Sequence, residues 1–163
     1  MNRRQISLQL ALDQTSIKLD LSSFDKRLVI QKLVYLIQQK GVHLGYSFNW
    51  YLRGPYCPGL TEDAFNLEAE LRADPAIVEG WSLDPGSIEK IEAIRELWED
   101  VRPGQLHLDL ECHASVHYLW THGWSAKSAD EISAELKRRK KDFSAQDVQR
   151  SVAKLKRHRL IAA

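Results

Sequence analysis

Apolar positions along the chain recur mostly at helical spacing. Val29, Ile30, Leu33, Val34, Leu36 and Ile37 form one broad stripe, with Arg27, Gln31, Lys32, Gln38 and Gln39 opposite, which predicts a core helix from about Phe24 to Lys40. Ser22 or Ser23 caps its start and Gly41 stops it. Leu60, Ala64, Leu67 and Leu71 predict a second helix, ended by Asp74-Pro75. Ile88, Ile91, Ile94, Leu97 and Trp98 predict a third from Pro85 to Val101, opened by Asp84-Pro85. The segment from Gln105 to Thr121 is apolar almost all round, as a central helix is. Ser128-Ala-Asp-Glu131 and Ser144-Ala-Gln-Asp147 have capping-box spacing, opening helices to about Arg139 and His158. The tail Arg159-Leu160-Ile161 suits a short strand. Residues 3–13 fit either a helix or a strand.

One stretch breaks the helical pattern. Residues 46–53 are aromatic-rich and read as a strand or half of a hairpin, with Gly54-Pro55 forcing a turn and Pro58-Gly59 a second. The expected fold is mainly α. Residues 1–103 form a helical lobe carrying the aromatic β-element. Residues 104–163 form a winged-helix-like tri-helical lobe, the two permitted to be one continuous domain.

Composition adds boundaries. With 44% apolar and 28% charged residues the chain is ordinary globular protein, and no apolar run approaches the ~18 residues of a membrane span. Gln5, Ser7 and Gln9 interrupt any leader-like core after the charged start, and Cys57 and Cys112 lack CxxC spacing. These features predict a cytoplasmic protein with reduced thiols and no membrane contact. The net charge of +1 conceals +5 over residues 1–58, −10 over 59–111 and +6 over 126–163. An acidic middle between basic ends argues against whole-surface coating of nucleic acid, and permits either a local basic patch or lobes that attract each other.

Two segments resemble known patterns. Gln31-Lys32-Leu33-Val34-Tyr35-Leu36-Ile37-Gln38, then Phe48-Asn49-Trp50-Tyr51-Leu52-Arg53-Gly54-Pro55-Tyr56, then Leu60 and Asp63, resembles the K-L-x-Y helix, aromatic strand and G-P turn of YwgA-type bacterial and archaeal proteins. More distantly it is similar to the SocA-like Panacea domain. Arg53 stands where that pattern often has tyrosine, and the helix-to-strand spacing differs. Ala114-Ser115-Val116-His117-Tyr118-Leu119, through Gly123-Trp124 to Leu155 and Leu160, resembles the C-terminal part of the YwgA-type proteins. The resemblance to Panacea implies a non-enzymatic antitoxin or adaptor that grips another protein.

The residues offer their own candidates. Pro55 and Pro58 stiffen the loop at Gly54–Gly59, so Trp50, Tyr51, Arg53 and Tyr56 are the candidate contacts to a partner protein, such as a toxin or a subunit of a larger complex. The competing explanation is a strand-to-helix corner that packs its aromatics inward. The runner-up function is a DNA-binding regulator. Its last helix would present Gln146, Gln149 and Arg150 to base edges, with Lys137, Arg138, Arg139, Lys140, Lys141, Lys154 and Arg157 on phosphates. His113 and His117, four apart, can reach one metal ion, but lack the glutamate of HExxH and a third ligand; core or interface histidines explain them better. No nucleophile elbow, Walker loop or dinucleotide fingerprint is present, so neither catalysis nor a cofactor is expected.

Overall fold

In the computed structural model, which describes residues 1–122 and 128–163, the apolar helix 106–121 is the axis on which the other elements pack. Chain order is α1 (Arg3–Thr15), α2 (Phe24–Gln39), β1 (Asn49–Tyr51), β2 (Gly54–Tyr56), α3 (Pro58–Ala73), α4 (Pro85–Ala93), α5 (Glu96–Glu99), α6 (Leu106–Thr121), α7 (Ala129–Arg138) and α8 (Ala145–Arg157). The fold is mainly α, with one small antiparallel sheet. α2 and α8 make the most extensive packing against α6, and β2 and α5 also pack on it. One continuous apolar cluster therefore runs from Leu8 and Leu12 through Leu33, Leu110 and Val116 to Val148 and Leu155, across the 103/104 position. Among the described residues no helix is long and apolar enough to cross a membrane. Gly123 and Trp124 lie outside the described residues.

The caps follow from local chemistry. Ser23, Asp84, Ser128 and Ser144 each accept a hydrogen bond from a backbone N–H of the first turn. Asn2 and Gln5 close a reciprocal box that settles residues 3–13 as a helix, and Ser144 and Asp147 do the same for α8, aspartate replacing glutamate.

Four expectations change. Gln31 and Lys32 are buried, because the β-hairpin and α3 cover the polar side of α2. The helix expected over 85–101 tightens at Ile94 and Leu97, whose N–H groups bond to carbonyls three residues back. Three residues per turn align Ile91, Ile94 and Leu97, all fully buried, which a continuous α-helix would not do. The tail at 159–161 is not a strand: Leu160 donates to the Leu155 carbonyl and tucks, with Ile161, into the core.

The fourth change concerns the Gly-Pro pair. It sits inside β2, and the turn is the two-residue loop Leu52–Arg53, since Tyr51 pairs with Gly54, Trp50 with Pro55 and Asn49 with Tyr56. Gly54 has φ +84° and lies so close to α6 that a Cβ there would meet Ser115 Oγ at 2.3 Å. Gly54→Ala is therefore expected to cost about 3 kcal/mol, from left-handed strain plus overpacking. Ser115 Oγ is buried without a hydrogen-bond partner among the described residues, so Ser115→Ala alone should be neutral or stabilising. In chemical denaturation, the double variant should recover the steric part of the loss and leave the φ part.

Candidate functional site

The polar residues of α2 hold the hairpin in place. Gln31 accepts from the Cys57 N–H at 2.9 Å and donates to the Cys57 carbonyl and to Thr61 Oγ1, both at 2.9 Å. Lys32 Nζ donates to the Pro55 carbonyl at 2.5 Å. One turn on, the Tyr35 hydroxyl meets His117 Nδ1 on α6 at 2.7 Å. The K-L-x-Y pattern is thus an anchoring device: it fixes β2 and α6 against α2 through buried hydrogen bonds.

The anchored hairpin forms one wall of a groove of about 470 Å³. Phe24 and Leu28 of α2 form the other wall, Tyr51, Leu52 and Tyr56 the hairpin side, and Thr61 of α3 one end. Leu52 is 92% exposed at the tip, and Phe24 (53%) and Tyr51 (46%) are also unusually open for large apolar side chains. The walls are braced. Tyr51 and Tyr56 meet edge to face at 5.1 Å, the Tyr56 hydroxyl bonds Thr61 Oγ1 at 2.9 Å, and the Arg53 guanidinium lies 5.6 Å from the Phe24 ring centroid. Three of the four expected contacts, Tyr51, Arg53 and Tyr56, line this groove. Trp50 does not: alternation along β1 turns it to the opposite side, where it packs 5.6 Å from Tyr118 and under the Arg139 guanidinium at 4.8 Å.

Beneath the hairpin lies a buried charge cluster. Lys141 Nζ pairs with Glu111 at 3.0 Å, both side chains almost wholly enclosed, and also donates to the Leu52 carbonyl. Burial lowers the Lys32 pKa to about 7, partly opposed by Glu111 and reinforced by Lys141 and Arg53. Burial also lowers that of Lys141, with Glu111 acting against it.

His113 and His117 of α6 are bound within the core by separate partners. His117 Nε2 faces the Leu160 carbonyl at 3.1 Å, so that nitrogen carries the proton and Nδ1 accepts from Tyr35. His113 Nδ1 lies 2.7 Å from Ser151 Oγ, which itself donates to Cys112 Sγ at 3.2 Å, so the imidazole donates to the serine. That direction is the reverse of a base activating a nucleophile. Burial raises the Cys112 pKa to about 12, leaving a thiol without thiolate character. Among the described residues no group of three or more His, Cys, Asp or Glu side chains is placed to hold a metal ion.

Much of the C-terminal basic set is engaged by carboxylates, some from the acidic middle and some from its own helices. Lys154 is buried against Asp100, at 3.0 Å from its carboxylate; Arg157 and His158 pair with Glu96; Arg150 pairs with Asp147 at 3.1 Å. Arg138 and Arg139 both engage Glu135. Lys141 and Lys154 are therefore enclosed, a correction to their expected place on an exposed basic face. Lys137, Lys140, Gln146 and Gln149 are exposed.

Phe24, Leu28, Leu52, Lys32 and Glu111 escape sequence reasoning. The usable signals were a leucine in a two-residue hairpin loop and a phenylalanine directly after the Ser23 cap, neither of which the helix pattern needs buried. No family model, curated protein or solved structure matches the chain.

Proposed function

We propose that the chain is a cytoplasmic, non-catalytic binding protein, an adaptor or antitoxin-like subunit that grips a partner protein through the groove beside the hairpin. The observation that carries this reading is an exposed apolar groove whose walls are held rigid from inside: Leu52, Tyr51 and Phe24 stand open while Gln31, Lys32 and Lys141 pin the backbone behind them. Rigid, pre-ordered aromatics lose little entropy on binding, which is what an interface anchor requires. The more distant likeness of residues 31–38 and 48–56 to the Panacea pattern, which implies an antitoxin or adaptor, supports the same reading. The runner-up, DNA binding through α8, has less support, because Lys141 and Lys154 are buried and Arg150 and Arg157 are engaged by carboxylates.

The test is affinity purification of the tagged protein from its native cells at low and high salt. A protein partner should persist at high salt and be lost with Leu52→Asp, while the Arg53→Ala/Tyr56→Ala pair weakens capture by about tenfold or more. Recovery of DNA at low salt alone, or capture indifferent to these substitutions, would overturn the reading.

A further inference from the structure

The groove carries charge of one sign. Arg27 and Arg53 line it, Lys32 lies fully buried behind it, and among the described residues no carboxylate lines it. Arg27 donates to the Leu21 carbonyl at 2.9 Å and Arg53 rests on the Phe24 ring; neither is ion-paired among the described residues. Glu111, the carboxylate behind the hairpin, is bonded to Lys141 and pairs with neither arginine among the described residues. Apolar walls and uncompensated cations together define the ligand chemistry.

We infer that the groove receives an acidic amphipathic segment of the partner protein, its apolar side chains lying on Phe24, Tyr51 and Leu52 and its carboxylates on Arg27 and Arg53. This rests on the partner-binding reading above. A basic segment would face like charge from both arginines, and an uncharged one would leave the guanidiniums desolvated without a partner. Charge complementarity should also hasten encounter, so association slows as salt rises.

The probes are three labelled peptides of one helical design. One has leucine and phenylalanine on one face and glutamate on the other, one has lysine for each glutamate, and one has serine for each apolar residue. Fluorescence anisotropy should show the acidic amphipathic peptide binding about tenfold or more tighter than the other two. The Arg27→Glu/Arg53→Glu variant should lose that preference and capture of the cellular partner alike, with its thermal transition unchanged. Equal binding of the lysine peptide, or partner capture unaffected by the double reversal yet abolished by Leu52→Asp, would overturn the inference and leave the partner-binding reading standing. Capture that ignores Leu52→Asp would remove that reading itself. The groove would instead serve a second copy of this chain if light scattering showed a dimer dissolved by Leu52→Asp, which also overturns the inference.

Discussion

Lowering the pH from about 7 to about 5 is expected to remove on the order of 4 kcal/mol of folding stability, about 2 from each of His113 and His117. Burial lowers both imidazole pKa values to about 4; for His113 the nearby Lys154 charge adds to the effect. In the unfolded chain both return to about 6.5. Between about pH 4 and 6.5 the unfolded state thus binds protons that the native state does not, so stability rises with pH through that window and is lost as pH falls. Below about 4 this contribution levels off. Carboxylates held low by cationic partners, such as Glu135 beside Arg138 and Arg139, withdraw their stabilisation only as pH falls below their unfolded range of about 4.3. The histidine loss therefore comes first. His113→Gln should flatten about half of the slope in urea midpoints measured across the window, and midpoints that stay level between about pH 7 and 5 would contradict the assignment.

Glu111→Ala is expected to destabilise the fold by about 3–5 kcal/mol, since it leaves the buried Lys141 ammonium without its carboxylate. The pair lies under the hairpin, and Lys141 also holds the Leu52 carbonyl, so the same variant should loosen the groove wall. Replacing both charges, with Glu111→Leu and Lys141→Met, should recover most of the stability, because the desolvation cost disappears with the charges. Denaturation of the three variants checks this. A Glu111→Ala loss below about 1 kcal/mol would place the pair in contact with water and remove it as a support for the hairpin.

Much of the fold is legible in residue pattern, and the reasons are local. Ser23, Asp84, Ser128 and Ser144 satisfy the first N–H groups of their own helices, so the caps need no tertiary context. The continuous apolar surface of α6 marks an axis because no other placement buries it. What escaped reading depends on distant partners. Gln31 and Lys32 look like solvent-facing residues of an amphipathic helix until the hairpin arrives to accept and donate to them. Gly54-Pro55 looks like a turn because glycine and proline usually punctuate; here glycine is required by contact with Ser115, and proline's missing N–H is tolerated in a two-stranded sheet.

The basic C-terminal run offers the same lesson in charge. Read alone, Lys154 and Arg157 suggest a phosphate-binding face. Asp100 and Glu96, more than fifty positions earlier in the chain, meet them in the fold. The charge blocks of the sequence hold the acidic middle against α8, an intramolecular use that linear composition cannot distinguish from ligand binding.

The groove remains the centre of the account, and Leu52 is the residue that reports on it most directly. A photo-crosslinking benzophenone amino acid placed at position 52 in native cells should yield a covalent adduct with one protein. The same probe replacing Gln149 on the exposed side of α8 should yield none with nucleic acid. An adduct to DNA from position 149, with no protein captured from position 52, would contradict the account and move function to the C-terminal helix.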